Sequence, residues 1–424
     1  MSLNPGDRLE LTVDKPAAGG RMIARHEGRV LFVLGAIPGE RVGVVVEKVE
    51  RQLAFATTTD ILQPSPDRRA ASADPLCGGC LYSHIGYPAQ LRVKAAVVED
   101  AFGRLARIDV PTIEVQASPE TAYRMRARLH IQHGAAGFYR EGSHTMCDAG
   151  QTRQLSTEAV AAAVETGAGL RDVGIDHGSV QVAENIAGDQ RALHIDVDSD
   201  RSVGQDWLQE LTKALSLTGC TLRNRRTVLT AGTPRVGDPL QVITSNRVGS
   251  GVLGRSPEAF FQANRFLLPG LVEAVLDAVP NGTVLDLYAG VGLFSVSLAA
   301  AGRSGITAVE GSPVSAHDLQ TNAAGFGAAV TVRHASVEDF LRSRPRRSDS
   351  VIVDPPRTGM SRDAIQAIAR HGAATIVYVS CDPPTMARDA RRLLDAGYAI
   401  ESLRAFDLFP NTPHVECLAV FTRR

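Results

Sequence analysis

The N-terminal part of the chain consists of short runs in which hydrophobic and polar residues alternate. Four such runs occupy residues 9–13, 30–34, 41–49 and 53–61, and glycine or proline turns separate them. Short strands at this spacing predict a small β-barrel. The polar stretch 63–69, which prolines interrupt, then predicts a linker, so we place the first domain at residues 1–63.

A mixed pattern follows and predicts an α+β middle domain at residues 64–255. It opens with a cysteine-bearing loop and a helical stripe of apolar residues at 87–107, a helix that can pack on the C-terminal domain. An alanine-rich helix is predicted near 156–168. Strands are predicted at 123–132, 179–182, 192–196 and 227–229.

From residue 256 the pattern changes to a helix at 264–278, followed by alternating strands and helices. Such alternation predicts a parallel, doubly wound sheet, which we place in a third domain at 256–424. The last two predicted strands, 398–408 and 416–424, read as a hairpin added to the edge of that sheet.

Composition narrows the class of protein. A chain of 424 residues with 44% hydrophobic residues can bury two or three cores, which agrees with several domains. No apolar run is long enough to span a membrane, so we expect a cytoplasmic protein. The net charge of −1 provides no global attraction for nucleic acid, but arginines cluster at 124–128, 223–226 and 342–347. These clusters are candidate phosphate contacts or simply solvated faces.

The predicted parallel strands of the third domain end in polar residues. Asp286 closes one strand and is followed by a turn containing Gly290 and Gly292, while Glu310 closes the next. Glycines allow a ligand to approach the backbone, and an acid on the second strand can accept hydrogen bonds from ribose hydroxyls. This pattern predicts a nucleotide-type cofactor pocket. By fold analogy, the C-terminal hairpin favours an S-adenosylmethionine methyltransferase over a nicotinamide enzyme.

Two further strands end in Asp354-Pro-Pro-Arg357 and Ser380-Cys-Asp-Pro383. With these motifs the chain resembles the RNA uracil-C5 methyltransferase family, which makes 5-methyluridine in ribosomal or transfer RNA. The other matching segments, in the family's order, are Phe260-Phe-Gln-Ala-Asn264, Asp286-Leu-Tyr-Ala-Gly-Val-Gly292, Glu310 and His414-Val-Glu416. The N-terminal barrel is similar to the oligonucleotide-binding TRAM domain. The resemblance implies an OB-like barrel, an α+β middle domain and a Rossmann-like class I methyltransferase domain.

The resemblance also implies roles for individual residues. Cys381 is the nucleophile that adds to C6 of the uracil ring, and Glu416 is the base that removes the C5 proton. The implied contacts to S-adenosylmethionine are Gln262, Asp286, Tyr288, Gly290, Gly292, Glu310 and Asp354. The implied contacts to the RNA substrate are Phe260, Asn264 and Arg357.

The cysteine loop departs from the family. Many relatives hold a 4Fe-4S cluster with three cysteines in this loop and a fourth in the middle domain. Here Cys77 and Cys80 are present, but Ala71 stands at the first position and Thr152 near the fourth, while Cys147 is the nearest thiol. We expect a relic loop without a metal; the alternative is a site made by Cys77, Cys80, Cys147 and a non-cysteine ligand. Six cysteines are too sparse for a disulfide framework, so we expect reduced thiols, a metal site or catalysis instead.

Two other functions remain open at this stage. Amino-methyltransferases use a similar acid-Pro-Pro loop, so Asp354 could instead hold an exocyclic nitrogen for direct methyl transfer. The degenerate cysteine loop would also suit a binding protein that has lost its activity. RNA is the expected partner, with ribosomal and transfer RNA as alternatives, and neither a membrane nor a protein partner is predicted.

Overall fold

The computed structural model describes residues 3–201, 203–343 and 345–424. Of the predicted basic cluster 342–347, Arg344 lies outside the described residues. Within these ranges no helix is both long enough and apolar enough to cross a lipid bilayer.

The first domain is a closed barrel, as predicted. Its strands follow the order β1-β2-β3-β5-β4 around the barrel. Alternate residues such as Leu31 and Val33 point inward and are fully buried, which is the period expected of a half-buried strand. The strands are β1 (Arg8–Pro16), β2 (Met22–His26), β3 (Arg29–Leu34), β4 (Arg41–Val49) and β5 (Leu53–Gln63).

A connecting segment leaves the barrel and packs on the C-terminal domain. It contains helix α1 (Tyr87–Ala101), a π-helical turn (Phe102–Ala106) and the short strand β6 (Val115–Gln116). β6 pairs in parallel with the last hairpin and so extends the C-terminal sheet. On α1, the ammonium of Lys94 is buried and donates to the buried carboxylate of Asp407. The helix therefore docks on the C-terminal domain, which the sequence allowed.

The middle domain is built on a seven-stranded sheet with the order β13-β12-β11-β10-β7-β8-β9. Helices α2 and α3 pack on the face that carries Ala127, Leu129 and Ile131 of β7. The structure adds α3, β8, β9 and β12 to the elements that the sequence predicted. The elements are β7 (Arg126–Gln132), β8 (Ala135–Tyr139), β9 (Met146–Asp148), α2 (Thr157–Asp172), β10 (His177–Glu184), β11 (Arg191–Val197), α3 (Gln205–Ala214), β12 (Gly219–Arg223) and β13 (Val228–Gly232).

The C-terminal domain has an eight-stranded sheet with the order β18-β17-β16-β19-β20-β22-β21-β6. β16 to β20 are mutually parallel and β22 is antiparallel to β20, so the predicted doubly wound sheet with a terminal hairpin is confirmed. A separate two-stranded sheet joins β14 to β15. The elements are β14 (Val236–Pro239), α4 (Leu240–Ile243), β15 (Val252–Arg255), α5 (Leu268–Ala278), β16 (Val284–Leu287), α6 (Leu293–Ala300), β17 (Ile306–Glu310), α7 (Pro313–Ala323), a 3-10 segment (Ala324–Ala329), β18 (Val330–His334), α8 (Val337–Arg342), β19 (Ser350–Val353), α9 (Arg362–His371), β20 (Thr375–Ser380), α10 (Pro383–Asp395), β21 (Tyr398–Phe406) and β22 (Glu416–Arg423).

Packing suggests a domain boundary different from the one read in the sequence. Leu240, Ile243 and Leu253 are buried in the same core as α5 and β16. We therefore propose that the C-terminal domain begins near Val236 rather than at residue 256, and that it also takes in the segment from α1 to β6.

Candidate active site

Four neighbouring parallel strands bring their carboxyl ends to one edge of the sheet. Asp286 lies near the end of β16, Glu310 ends β17, and Asp354 and Cys381 directly follow β19 and β20. Chain order reverses between β17 and β19, which both flank β16. Open α/β sheets bind ligands in the crevice at such a switch point. The fold thus brings together the four strand-end residues that the sequence singled out.

In the turn after β16, two glycines leave part of the backbone uncovered by side chains. Gly290 and Gly292 have φ angles of 57° and 93°, in the left-handed region. A Cβ atom on Gly292 would lie 2.7 Å from side-chain carbons of Leu319 and Val296. Glycine is therefore required at Gly292 both by conformation and by space. The turn delivers the chain into the N-terminus of α6 at the floor of the crevice.

Two carboxylates organise this turn. One oxygen of Glu310 accepts the backbone N–H of Gly290 at 2.8 Å, and the other accepts that of Ser312 at 2.6 Å. Asp286 is buried and accepts the backbone N–H of Ser295 at 3.1 Å through Oδ2, but its Oδ1 has no partner. Burial raises the pKa of Asp286 to about 7. Oδ1 of Asp286, which is buried and has no hydrogen-bond partner among the described residues, lies beside the glycine turn. This arrangement fits a cofactor that carries hydroxyl and ammonium donors.

Tyr288 occupies an unusual position in this turn. Its φ angle is 61°, a conformation that a bulky residue adopts only when its surroundings enforce it. The ring is half-buried and packs against the core beneath the sheet. The strained backbone turns the chain sharply between Asp286 and Gly290, so it shapes the crevice.

Cys381 and Glu416 come together through strand pairing. Ser380 at the end of β20 pairs with Cys417 in antiparallel β22, so Cys381 and Glu416 occupy neighbouring positions at the same end of the two strands. Cys381 is partly exposed and not disulfide-bonded. The two residues are 35 positions apart in the sequence, and the C-terminal hairpin is what brings them together.

The thiol is protonated in the ligand-free protein. Desolvation, and then the charges of Glu416 and Asp354, raise the pKa of Cys381 to about 12, while the guanidinium of Arg357 opposes the rise. Addition of a thiol to C6 requires either a depressed thiol pKa or a nearby base. The pKa is not depressed, since desolvation and two carboxylates outweigh one arginine. The remaining route is a nearby base, and the charges of Glu416 and Asp354 both act on the thiol.

The two carboxylates share a poorly solvated site. Glu416 is buried, its Oε1 has no hydrogen-bond partner, and burial followed by the charge of Asp354 raises its pKa well above the ordinary value. Desolvation raises the pKa of Asp354 to about 7, although Gln262 donates to its Oδ2 at 3.1 Å and opposes the rise. Paired acids of this kind can hold or release a proton near neutral pH.

The segment before α5 contributes one exposed ring and two buried amides. The ring of Phe260 is 58% exposed at the mouth of the crevice, where a base could stack on it. Gln262 is buried against Asp354. Asn264 differs from expectation: its Nδ2 donates to Ser118 Oγ and Leu408 O, and its Oδ1 accepts two backbone N–H groups at the start of α5. All its hydrogen-bonding capacity is used, so we correct its assignment from substrate contact to a structural cap.

The sequence reasoning gave no individual role to two residues near Arg357, namely His414 and Arg124. The guanidinium of Arg357 lies 3.3 Å from Nε2 of His414, which must accept because arginine only donates. Burial and nearby cations lower the pKa of His414 to about 3, so its ring stays neutral. Arg124 is also close enough to Arg357 for its positive charge to be felt. In the sequence, the motif His414-Val-Glu416 indicated a site residue only at Glu416.

The cysteine loop does not present a set of four metal ligands. Cys77 and Cys147 form a disulfide with a Cα–Cα distance of 6.0 Å, and Cys80 is free and buried. This disulfide corrects the expectation of reduced thiols: the loop pairs with the strand end at Arg140 and brings together two cysteines 70 residues apart. The hydroxyl of Thr152 donates to a backbone carbonyl. Among the described residues no group of three or more histidine, cysteine or acidic side chains could hold a metal ion.

The residues present therefore do not fit a 4Fe-4S cluster, since Ala71 and Thr152 supply no thiolate and two of the three remaining cysteines are joined to each other. The three-cysteine alternative does not match this disulfide-bonded arrangement. The relic-loop hypothesis stays a prediction, which iron and sulfide analysis of anaerobically purified protein would test.

The sheet, its switch-point crevice and the terminal hairpin define an S-adenosylmethionine-dependent methyltransferase of class I. Comparison with known proteins makes the class specific. Residues 252–424 match the family described as tRNA (Uracil-5-)-methyltransferase, and residues 3–59 match the TRAM domain. The chain is 33% identical to the 23S rRNA (uracil(1939)-C(5))-methyltransferase RlmD of Chromohalobacter salexigens, over 97% of this chain and 89% of that protein. It belongs to the RNA uracil-C5 methyltransferase family.

One further relative and one solved structure are similar to this chain over nearly its whole length. An uncharacterized RNA methyltransferase of Nitratidesulfovibrio vulgaris is 31% identical over 99% of this chain and 97% of its own length. The crystal structure of the tRNA (uracil-54, C5)-methyltransferase of Pyrococcus abyssi, in complex with S-adenosyl-L-homocysteine, superposes with a TM-score of 0.74 at 23% identity and covers 97% of this chain and 99% of that one. The similarity to the Pyrococcus abyssi structure shows that the shared fold extends over nearly the whole chain.

Proposed function

We propose that this enzyme methylates C5 of a uridine in RNA through a covalent bond between Cys381 and C6 of the uracil ring. The observation that carries the proposal is the pairing of β20 with β22, which sets Cys381 beside Glu416 at the mouth of the cofactor crevice. A direct transfer to an exocyclic nitrogen through Asp354 would need no thiol at this place.

The cofactor contacts fall to the crevice residues. We assign the glycine turn at Gly290 and Gly292, the carboxylates of Asp286 and Glu310, and the ring of Tyr288 to S-adenosylmethionine, and Gln262 and Asp354 to the boundary between cofactor and uracil. When bound, the cofactor supplies an electrophilic methyl group. We assign Phe260 and Arg357 to contacts with the RNA substrate.

The protein residues carry the remaining chemistry. Cys381 must first lose its proton, and its raised pKa means that a neighbouring carboxylate, Glu416 or Asp354, accepts it once the uridine is in place. The sulfur then bonds to C6, and the ring electrons move to the C5–C4–O4 enolate, which makes C5 nucleophilic. After C5 has gained its methyl group, the Glu416 carboxylate takes the C5 proton; any proton that Glu416 accepted from the thiol must first have passed to solvent. The released electron pair re-forms the C5–C6 double bond and expels the thiolate.

The uridine must leave its stack to reach this site, because Cys381 is only partly exposed at the mouth of the crevice. Phe260, exposed at the mouth, would stack on the extruded base. Ribosomal RNA is the first substrate to test, since the RlmD relative acts on 23S rRNA. Transfer RNA is the alternative.

The test is methyl transfer followed by nucleoside analysis. Purified protein and its Cys381→Ala variant are incubated with methyl-labelled S-adenosylmethionine and with unmodified transcripts of ribosomal and transfer RNA. Label in 5-methyluridine that disappears in the variant supports the proposal and identifies the substrate. Label in a methylated adenine or guanine would overturn it in favour of the Asp354 route.

A further inference from the structure

The middle sheet has one face that no helix covers in the described chain. On β7, Ala127 and Leu129 point into the core under α2, while Arg126, Arg128 and His130 point to the other side. Ser179 and Gln181 of β10 and Tyr139 of β8 lie on the same side. We call the surface formed by Arg126, Arg128, His130, Tyr139, Ser179 and Gln181 the open sheet face.

Among the described residues, the cation at the centre of this face has no acidic partner. Arg128 donates to the hydroxyl of Ser179 at 3.0 and 3.2 Å, and it forms no ion pair with the described residues. By contrast, Arg223 and Arg225 across the groove are held by Asp196 and Asp198 at 2.7 and 2.5 Å. The charge on the β7 side of the groove is therefore free to meet an external anion.

The groove itself has a volume of about 390 Å³. Arg128, His130 and Ser179 line one wall, and the paired side chains Asp196, Asp198, Arg223 and Arg225 line the other. Among the lining residues those four charges cancel, so Arg128 carries the one unbalanced charge of the lining; Glu258 and Asp200 pair with Arg223 and Arg225 from outside it.

Beside this cation the face presents stacked rings. His130 lies parallel to Tyr139 with ring centroids 3.7 Å apart, and His144 meets Tyr139 edge-on at 5.3 Å. Gln132 donates to the hydroxyl of Tyr139 and fixes the ring. A rigid aromatic platform next to an unpaired guanidinium is the combination that binds unpaired nucleotides, through base stacking and a phosphate contact.

The face is continuous with the active site. Arg126 approaches the backbone carbonyls of Pro257 and Glu258 at 3.4 and 3.5 Å, just before the exposed Phe260. At the start of β7, the N–H of Met125 donates to the carbonyl of Ala263. A nucleic acid strand whose uridine enters at Phe260 would therefore pass onto β7.

We propose that the open sheet face binds the unpaired RNA segment that flanks the target uridine, with Arg128 on a phosphate and the His130–Tyr139 stack under a base. This proposal rests on the proposed function and names the part of the protein that selects the RNA around the uridine. None of these residues touches the reacting atoms, so their loss should change KM and leave kcat as it is.

The experiment compares Arg128→Ala and Tyr139→Leu with two controls. Arg226→Ala removes an exposed arginine that Asp200 already pairs, and Tyr139→Phe keeps the ring. Filter binding of ribosomal and transfer RNA transcripts is measured at several salt concentrations, with 5-methyluridine formation in the same samples and thermal unfolding as a check on folding. We expect at least fivefold weaker binding for both test variants. For Arg128→Ala the slope of log K against log salt should also fall by about 0.7 to 0.9.

The two proposals fail in different ways. If the folded Arg128→Ala and Tyr139→Leu variants keep the wild-type RNA affinity and salt slope, the proposal that the open sheet face binds RNA is overturned, even if 5-methyluridine is formed. RNA binding that depends on Arg128 and Tyr139, without formation of 5-methyluridine, would support RNA binding by the open sheet face and contradict the proposed function. Equal losses in Arg226→Ala would mean that general charge, and not this face, binds the RNA.

Discussion

At the scale of the residue, the chemistry of this enzyme depends on how buried charges set the state of one thiol. Cys381 is largely desolvated and has two carboxylates and one guanidinium around it; desolvation first, and then the carboxylates, raise its pKa to about 12. A protonated thiol is protected from oxidation and stray alkylation before RNA arrives. It gains nucleophilicity only when the proton has somewhere to go, which ties activation to the substrate complex.

Alkylation kinetics should show this state directly. Iodoacetamide modification of Cys381, followed by peptide mass spectrometry, should be slow at pH 7 and rise about tenfold per pH unit up to pH 10, because the thiolate fraction rises in that way below the pKa. Arg357→Ala should slow it by about three- to tenfold, since the cation that lowers the pKa is lost.

Arg357→Lys should restore part of the rate, and Arg391→Ala, which removes a partly exposed arginine of α10 paired with Asp395, should leave it unchanged. A rate that is already independent of pH at pH 8 would contradict the raised pKa.

At the scale of the element, the glycine turn between β16 and α6 holds the cofactor crevice open. Gly292 has both a positive φ and no room for a Cβ. Gly302, just after the same helix, has a φ of 81° but no atom within 4 Å of where its Cβ would be. Alanine substitutions at Gly292 and Gly302 therefore separate the cost of the backbone conformation from the cost of steric exclusion.

Gly292→Ala should lower the free energy of unfolding by about 2 to 4 kcal/mol, against about 1 to 2 kcal/mol for Gly302→Ala, where conformation alone is penalised. Urea unfolding measures both. Calorimetry with S-adenosylhomocysteine should show at least tenfold weaker binding for Gly292→Ala and unchanged binding for Gly302→Ala. Equal affinity in the two variants would remove the turn from the cofactor site.

Much of this element-level structure could be predicted. The alternation of strands and helices gave the parallel sheet, and the strand-end residues Asp286, Glu310, Asp354 and Cys381 were found from sequence because a strand end is a local pattern. The disulfide partner of Cys77 and the role of Asn264 could not be found in this way. Both depend on contacts between segments that are distant in the chain, and sequence spacing carries no signal for them.

At the scale of the whole molecule, the cysteine loop, α1 and the middle domain meet at the loop that joins β21 to β22, immediately before Glu416. The carbonyl of Asn411 accepts the N–H of Tyr82 in the cysteine loop, and its side chain accepts from Gln90 of α1. The hydroxyl of Tyr123, in the middle domain, lies 3.3 Å from the carbonyl of Pro410. The proposed base is thus positioned by contacts from beyond the hairpin that carries it.

The ion pair of Lys94 and Asp407 holds α1 against this loop, and both side chains are fully buried. Lys94→Met should cost about 3 to 5 kcal/mol in denaturant unfolding, since it leaves a buried carboxylate without its partner. Lys15→Met, which breaks an exposed pair with Asp100 on the same helix, should cost less than about 1 kcal/mol.

A second substitution, Asp407→Leu in the Lys94→Met background, should recover part of the lost stability, because no buried charge is then left unpaired. Similar costs for Lys94→Met and Lys15→Met would contradict the account of the buried pair.

The measurement that tests the central claim most directly is a search for the covalent intermediate in the Glu416→Gln variant. Without the base, the C5 proton stays and the thiolate cannot leave, so methyl-labelled RNA should remain bound to Cys381 and migrate with the protein on a denaturing gel. The additional change Cys381→Ala should abolish that band. A folded Glu416→Gln variant that forms no adduct, with RNA that the wild type methylates, would contradict the covalent route or the assignment of Glu416 as the base.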